Sequence, residues 1–487
     1  MKLSMMKFFL IAAGLAVMIL GGCKDSAPNG PVASLGSSTV KKYVAVGNSL
    51  TAGYQSAGLY QSAQIYSYPN LIAQQLTKAG ASLGSFEQPY YSDPGTPDAT
   101  GKASRYEIIS LVGPVIGPKG LAPGAPTNSA LTRPFDNLGI PGIPLAGFMD
   151  TTGTYQSPPL GRDAILRWTS GPFPKNVYKQ AVALAPDLMT FWLGANDVLG
   201  YATTGGTSPA APTPTATFTA LYTQALTSIR ASLPNVKLVV GNIPDVKAIP
   251  FFNTVGPRIA ASIGALGLKL AYQKAGESGP GTGQSSLTEA NPPLITLVGQ
   301  TYAAYIGQPT GLFYRANGIP YALVQPLGID TTKPFGLDPR NPWPNALVLD
   351  ATEQTNCTNA IAAFNATIAT VAAANGAVVV DFFSFFNNVA QNGYALAGET
   401  YTTAYVSGGL FSLDGVHPSS RGYGIVANQW ITTMNSKFGM SIPLVDVSQL
   451  PGLPAPLGKI SSRDMQPVLP LDALKDFERM FGTTDIR

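Results

Sequence analysis

Residues 43–50 read Tyr-Val-Ala-Val-Gly-Asn-Ser-Leu, and this stretch sets the interpretation of the whole chain. An apolar run that ends in glycine is typical of a buried strand, so a polar loop should begin at Asn48. Comparable apolar runs recur at 186–193, 236–240 and 377–380. The sequence therefore predicts several buried strands, each followed by a polar turn.

Amphipathic segments separate these runs. Apolar residues at helical spacing predict helices over 68–79, 218–233 and 361–371, and a last helix that reaches Phe438. Strands that alternate with helices at crossover spacing favour a parallel sheet covered on both faces. The predicted fold class is α/β, a three-layer αβα sandwich with a central parallel sheet.

Two long stretches interrupt the alternation and are interpreted as insertions. Residues 81–133 have little periodicity and many Gly, Pro, Ser and Tyr residues, so they are expected to lie over the site. Residues 254–347 begin with a segment predicted to be helical, 258–275, and continue irregularly. Trp343, which lies between two prolines, is a lid candidate. The main domain is predicted to span 41–440, followed by a tail, 441–487, that packs on it.

The first 22 residues are predicted to be a signal peptide. Lys2 and Lys7 precede an apolar run that is too short to span a bilayer comfortably. The ending Leu-Gly-Gly-Cys resembles a bacterial lipobox, which implies that Cys23 is lipidated and becomes the first residue of a tether, 23–40. An ordinary signal peptide with an incidental cysteine is the alternative. Lys24 favours the outer membrane of a Gram-negative cell envelope over the inner membrane.

Composition excludes some classes of function. Charged residues make up 11% of the chain and the net charge is +4, without a basic run that could follow a nucleic-acid backbone. Apart from Cys23, the chain has one cysteine, Cys357, so a lipidated chain has no intramolecular disulfide. Cys357 has no neighbouring His or Cys for a metal site and is expected to be a buried or half-buried thiol.

His417 is the only histidine in 487 residues, and it ends the stretch Asp-Gly-Val-His at 414–417. A lone histidine is more often structural than catalytic. However, histidine can exchange a proton near neutral pH, and Asp414 is close enough in the loop to orient its ring. Such a base would activate a serine hydroxyl, and Ser49 lies at the end of the first strand. Gly142 and Asn196 follow other predicted strands and could supply the donors that an oxyanion requires.

Four stretches in this order resemble four sequence blocks of the SGNH (GDSL-type) esterase and lipase superfamily. They are Gly-Asn-Ser-Leu at 47–50, Asn-Leu-Gly-Ile-Pro-Gly at 137–142, Gly-Ala-Asn-Asp at 194–197 and Asp-Gly-Val-His at 414–417. The resemblance implies a flavodoxin-like sandwich with Ser49 as nucleophile and Asp414 and His417 as its partners. It implies that the N–H groups of Ser49 and Gly142 and the amide of Asn196 hold the oxyanion. It implies neither a metal nor an organic cofactor.

One residue departs from the family pattern. Asn48 stands where the family usually has Asp before the serine. Since this residue is not a member of the triad, the change is expected to tune the loop without abolishing catalysis. The chain also lacks a Gly-x-Ser-x-Gly elbow, which argues against the α/β-hydrolase fold.

Two interpretations are open for some other residues, one functional and one structural. Three acidic residues near strand ends could bind a cation but are more readily explained as caps or loop anchors: Asp187, Asp197 and Asp245. Three tyrosines could line a substrate cleft or simply pack: Tyr54, Tyr90 and Tyr91. Trp192 and Trp430 are expected in the core.

The expected function is that of an extracytoplasmic, lipid-anchored serine ester hydrolase that acts through an acyl-enzyme on a lipid or another carboxylic ester. Its expected partners are the ester substrate and, through the N-terminal lipid, a membrane. A polysaccharide O-acetylesterase is an alternative. A different class also remains open, namely a non-catalytic lipoprotein that binds a glycan or lipid with the same fold.

Overall fold

The computed structural model describes residues 32–98, 100–110, 115–151, 176–208 and 212–453. The predicted signal peptide, Cys23 and the tail beyond residue 453 lie outside these residues. The strands are β1 (Tyr43–Gly47), β2 (Tyr106–Ser110), β3 (Val115–Pro118), β4 (Asn137–Gly139), β5 (Leu188–Trp192), β6 (Lys237–Gly241), β7 (Leu270–Tyr272), β8 (Gly283–Ser285), β9 (Leu294–Ile295), β10 (Val348–Leu349), β11 (Val378–Val380), β12 (Tyr394–Leu396) and β13 (Glu399–Tyr401). The α-helices are α1 (Ser49–Ala52), α2 (Gln61–Gln64), α3 (Tyr68–Lys78), α4 (Val177–Ala183), α5 (Asn196–Thr203), α6 (Thr215–Ser232), α7 (Pro250–Asn253), α8 (Val255–Gly264), α9 (Leu312–Ala316), α10 (Tyr321–Val324), α11 (Ala351–Ala374), α12 (Phe382–Asn392) and α13 (Ser420–Phe438).

The central sheet has the order β11-β6-β5-β1-β4, and each neighbouring pair runs parallel. Counted along the chain, this is the order 2-1-3-4-5 of flavodoxin-like folds. In the β1–β5 pair, Tyr43 lies opposite Leu188 and Gly47 opposite Trp192. The strand order reverses at β1, and ligands of such sheets bind at this point, beyond the carboxyl ends of the strands.

Successive residues of β1 face opposite sides of the sheet, as the two-residue period of a strand requires. Val44 and Val46 pack in one layer with α6 and α11, whereas Tyr43 and Ala45 pack in the other with α3 and α13. All four side chains are fully or almost fully buried. The predicted three-layer α/β sandwich is confirmed.

Aromatic contacts hold both helix layers. On one face, the rings of Phe218 and Phe364 stack with centroids 3.9 Å apart. On the other face, the ring centroid of Tyr68 lies 5.6 Å from that of Trp430 and 5.8 Å from that of Trp192. Both tryptophans are at most 2% exposed, which confirms that they belong to the core. Burial of each such side chain contributes about 1.5–3 kcal/mol to the free energy of unfolding.

Most predicted helices are confirmed, as α3, α6, α11 and α13. Helix α11 begins at Ala351, ten residues before the predicted start at 361. The helix predicted at 258–275 is wrong in its second half. It ends at Gly264, Gly267 adopts a left-handed φ of 68°, and the chain then forms β7. The prediction of a loop after β1 is also wrong, because α1 begins there. Helix α12, whose apolar face lies against the sheet, was not predicted from the sequence.

Both predicted insertions carry structure of their own. The first contains the antiparallel pair β2–β3. The second contains the pair β7–β8 and also β9, which pairs with β10 directly after the insertion. The lid interpretation of Trp343 is wrong, because the ring is fully buried and lies 5.7 Å from Phe335. Helix α11 is long and apolar enough to cross a membrane, but its apolar side packs against α6 and the sheet.

The chain approaches β1 from the edge of the sheet opposite to the carboxyl ends of the strands. There, Ser34 and Ser441 are joined by two backbone hydrogen bonds, of 3.2 and 2.8 Å. Ser441 follows α13, whose 19 residues span about 28 Å. At the other end of that helix, the Ser420 hydroxyl donates to Gln55 near the strand carboxyl ends.

Glu353 predicts a pH dependence of stability. Its carboxylate accepts the Asp350 N–H in a capping box at the start of α11 and is 1% exposed. Burial, with a smaller contribution from Asp350, raises the pKa of Glu353 to about 8. The folded protein thus binds this proton more tightly than the unfolded chain, so the free energy of unfolding should fall as pH rises from about 4.5 to about 8. Glu353→Gln should flatten that slope in urea unfolding series.

The matched control is Glu399→Gln, which removes an exposed carboxylate. It should leave the slope between pH 5 and 8 unchanged, because this carboxylate is not buried as that of Glu353 is. If Glu353→Gln shows the same slope as the wild type, the buried carboxyl is not the source of the pH dependence.

Candidate active site

The carboxyl ends of β1, β4 and β5 bring three predicted site residues to one edge of the sheet. Ser49 is the first residue of α1, directly after β1. Gly47 permits this sharp start, because a Cβ at that position would lie 1.9 Å from the Thr51 hydroxyl oxygen. Gly142 and Asn196 follow β4 and β5 in the same way.

The Asn48 side chain caps the helix that carries Ser49. Its Oδ1 accepts the Leu50 N–H at 3.0 Å, and the residue is 2% exposed. Asn and Asp are equally suited to such an N-cap position. The departure from the family pattern therefore keeps the local hydrogen bond that an aspartate would make.

Ser49, His417 and Asp414 form a continuous chain of hydrogen bonds. The Ser49 Oγ lies 2.8 Å from His417 Nε2, and His417 Nδ1 lies 3.0 Å from Asp414 Oδ2. All three residues are at most 3% exposed. The single histidine thus lies between a hydroxyl and a carboxylate, which is the arrangement that a general base for a serine requires.

Asp414 is a buried carboxylate with several donors. Its Oδ1 accepts the N–H groups of Val416 and His417 at 2.9 and 2.8 Å, and its Oδ2 also accepts the Ala57 N–H at 2.9 Å. Burial alone would raise the pKa of Asp414, but the His417 ring and these N–H groups outweigh it and lower the pKa below its ordinary value. Asp414 is therefore ionised at neutral pH.

Two of the predicted oxyanion donors lack an acceptor. Within the described ranges, neither the Ser49 N–H nor the Gly142 N–H donates a hydrogen bond. Gly142 has φ of 73°, a left-handed conformation that suits glycine and sets the direction of the next peptides. Asn196 Nδ2 donates to the Ile143 carbonyl at 2.9 Å, which leaves the second amide hydrogen for a ligand.

Asp197 ties this loop to α5 and has a structural role. Its carboxylate accepts the Leu145 N–H at 2.9 Å and the Thr213 hydroxyl at 2.8 Å. Burial raises the pKa of Asp197 to about 6, although both of these donors lower it. Asp187 and Asp245 also accept nearby backbone N–H groups, from Lys41, Lys42 and Lys247. Within the described residues, no cluster of acidic, His or Cys side chains could hold a metal ion.

A pocket of about 670 Å³, including its open mouth, lies over Ser49 and His417. Asn196 also lines it, whereas most of the other lining side chains are apolar. They come from α5, from the loop after β6, from α12 and from the segment before α13. The apolar members are Leu50, Ala195, Leu199, Pro244, Val246, Ala248, Ile249, Phe386, Phe411, Val416 and Pro418.

None of the three candidate tyrosines is among the residues that line this pocket, but Tyr54 packs beside His417. Its ring centroid is 4.8 Å from that of His417. Tyr90 and Tyr91 do not line the pocket, and their backbone N–H groups donate to Asn128 and Gln64. Phe386 and Phe411 also line the pocket and were not predicted as site residues from the sequence. The phenylalanine-rich start of α12 was the available signal for the first of them.

Comparison with known proteins adds one finding. The family model described as GDSL-like Lipase/Acylhydrolase matches residues 43–430. No curated protein and no solved structure matches the chain. The matched range contains all four motifs and every residue of the hydrogen-bonded chain described above.

The cap at Asn48 gives a testable prediction. Asn48→Ala should lower the free energy of unfolding by about 1 kcal/mol, because the Leu50 N–H loses its acceptor. Asn48→Asp should retain most of that stability, since a carboxylate can accept the same hydrogen bond. Denaturant unfolding measures both. Asn176→Ala is the matched control: Asn176 caps α4 in the same way, away from the pocket.

The two alanine variants should differ in activity. Asn48→Ala is expected to lower ester hydrolysis as well as stability, because Ser49 is in the capped turn, whereas Asn176→Ala should lower stability alone. Equal losses of activity in both would contradict a local role for Asn48.

Proposed function

The chain belongs to the GDSL-like lipase/acylhydrolase family, and from this membership we propose how and where it hydrolyses esters. The match over residues 43–430 covers most of the chain and confirms the resemblance drawn from the four motifs. Ester hydrolysis is the activity that the family indicates. The nucleophile, the oxyanion donors, the substrate and the anchoring of the protein are the parts that we propose.

The hydrogen-bonded chain Ser49–His417–Asp414 is the observation that carries the proposed mechanism. Ser49 Oγ attacks the ester carbonyl carbon while His417 Nε2 takes its proton, and Asp414 holds the ring and stabilises the imidazolium. The tetrahedral intermediate collapses, the alkoxide leaves with the proton from His417, and an acyl-Ser49 ester remains. Water then loses a proton to His417 and attacks the acyl carbon. The bond from that carbon to Ser49 Oγ breaks, Oγ takes the proton back from His417 Nε2, and the acid is released.

The free N–H groups of Ser49 and Gly142 and the second amide hydrogen of Asn196 support the proposed oxyanion hole. These donors are fixed before substrate binds, by α1, by the turn at Gly142 and by the bond from Asn196 to Ile143. A donor that is fixed in advance costs no reorganisation when the negative charge develops. Removal of one such donor typically lowers kcat by about 10²–10³-fold.

The pocket supports an apolar acyl ester as substrate. Of the residues that line it, only Asp245 and His417 are ionisable, and Asp245 is paired with Lys247 at 3.0 Å. A mostly apolar cavity whose one lining carboxylate is paired favours an alkyl chain over a charged group beside the scissile bond. We therefore propose a lipid or another ester of an apolar acid.

The activity test is hydrolysis of p-nitrophenyl esters from acetyl to palmitoyl by the chain from residue 24 onward. The pocket predicts a maximum at an acyl chain longer than acetyl. Ser49→Ala and His417→Ala should each lower kcat by roughly 10³-fold or more, because the members of a triad act as a unit. Thermal unfolding of each variant shows that the fold is intact.

Each other result of this series has a definite meaning. A maximum at acetyl would replace the apolar ester with an O-acetyl substrate. If the wild type is inactive across the series, or if Ser49→Ala is as active as its parent, the triad proposal fails. A folded, inactive wild type that retains a glycan or lipid would support the binding lipoprotein instead.

We also propose that Cys23 carries a lipid that anchors the protein in the cell envelope, on the outer membrane. The lipobox-like ending of residues 20–23 supports this proposal. In bacteria fed labelled palmitate, the wild-type chain should take up label and sediment with membranes, whereas Cys23→Ala should do neither. Cys357→Ala, which changes a buried thiol, is the control and should keep the label. Label that persists in Cys23→Ala would contradict the anchor.

A further inference from the structure

A tight turn at Gln55–Gly58 lies directly behind the site. Gln55 and Gly58 exchange backbone hydrogen bonds of 3.0 and 3.1 Å, so Ser56 and Ala57 form a two-residue turn. Both have positive φ, 50° and 63°. Two-residue turns with this backbone favour Asn-Gly, because other side chains resist the left-handed region. The Ser-Ala turn therefore needs support from its surroundings.

That support comes from the segment that carries Asp414. The Ser56 N–H donates to the Ser412 hydroxyl at 2.9 Å, and the Leu413 N–H donates to the Ser56 hydroxyl at 3.3 Å. The Ala57 N–H donates to Asp414 Oδ2 at 2.9 Å. These residues are all at most 4% exposed. The turn and the Asp414 segment hence hold each other in a single buried arrangement.

The same turn is joined to the nucleophile by a short length of chain. Ser49 begins α1, and the Tyr54 N–H donates to the Ser49 carbonyl at 3.0 Å. Gln55 follows at once. The backbone between Ser49 and Ala57 therefore has few degrees of freedom. It connects the Ser49 hydroxyl to the Ala57 N–H, which holds the Asp414 carboxylate.

The charges around Asp414 explain why this N–H matters. Among the described residues, the titratable groups that interact with Asp414 include His417 and three tyrosines, Tyr60, Tyr405 and Tyr423. Burial raises the pKa of each tyrosine, to about 12 for Tyr60, so all three are neutral at neutral pH. No lysine or arginine of the described residues forms an ion pair with Asp414. The His417 ring and backbone N–H groups therefore stabilise its charge, and Ala57 provides the N–H that lies outside the 414–417 turn.

We infer that the Gln55–Gly58 turn is a positioning element that aligns Asp414 with His417 through the Ala57 N–H. This inference rests on the proposed function, in which Ser49, His417 and Asp414 act together. Strained backbone held by surrounding hydrogen bonds is a common feature of sites that must be organised in advance. Ala57 does not touch substrate, and its effect reaches the reaction through Asp414.

The test replaces Ala57 with L-lactic acid in the chain from residue 24 onward, by nonsense suppression. The methyl group and the chain path stay, but the N–H becomes an ester oxygen. We expect kcat to fall about 10- to 100-fold at a nearly unchanged KM, since small misplacements of catalytic groups cost this much. Ser412→Ala, which removes the acceptor of the Ser56 N–H and leaves the Ala57 peptide intact, should also lower kcat.

A second measurement does not depend on turnover. Because His417 is the only histidine, ¹⁵N-histidine labelling gives signals from one imidazole. The proton on Nδ1, which Asp414 accepts, should exchange slowly with water in the wild type and at least about tenfold faster once the carboxylate is misplaced. A purely structural loss would lower the unfolding temperature without this local change.

The control is lactic acid at Ala397, in the exposed turn between β12 and β13. Ala397 has φ of 52° and Gly398 has φ of 83°, so the backbone is of the same kind. Ala57→Gly, which keeps the N–H, should recover most of the activity that the ester loses. The inference is overturned if the ester at 57 matches the ester at 397 in both kcat and imidazole exchange. If the wild type has no turnover, the proposed function fails, and the exchange measurement alone decides the inference.

Discussion

The negative charge of Asp414 is the constraint on which the rest of the site depends. A carboxylate buried without partners costs several kcal/mol, and the pKa would shift until the group became neutral. Here the charge persists because the His417 ring and three backbone N–H groups surround it. The ionised carboxylate in turn fixes which ring nitrogen carries a proton, and it leaves Nε2 free to accept from Ser49.

The sheet places these groups together although 368 residues separate Ser49 from His417. Parallel strands deliver their carboxyl ends to one edge, which accounts for Ser49, Gly142 and Asn196. The last turn has a different support, because the Phe251 N–H donates to the Gly415 carbonyl at 3.0 Å and Leu297 of the second insertion packs against Gly415. That insertion is consequently part of the wall behind the site.

The sequence was informative where chemistry is carried by short motifs at strand ends. Ser49, Gly142 and Asn196 could be located because parallel strands impose a common edge, and His417 because it is the only histidine and ends a motif. The layers followed from periodicity. Other features depend on contacts between distant residues, which no local pattern encodes. Ser56 and Ala57 are a poor turn signal, and their conformation exists only because Ser412 and Asp414 stabilise it.

The errors have physical causes of the same kind. Proline-flanked Trp343 reads as an exposed loop residue, yet the second insertion has enough apolar side chains to bury it. The α1 helix is too short to show a period, and it forms because Asn48 caps it and Gly47 lets it start close to the strand.

The pairing of Ser34 with Ser441 has a consequence for how the protein is oriented on a support. The chain reaches β1 at the edge of the sheet that lies about one α13 length, roughly 28 Å, from the pocket side. Any attachment made through residues ahead of Ser34, whether a lipid, a resin or a fusion partner, therefore joins the domain on the side away from the pocket. The pocket lies near the opposite end of α13, so the point of attachment does not itself cover the pocket mouth.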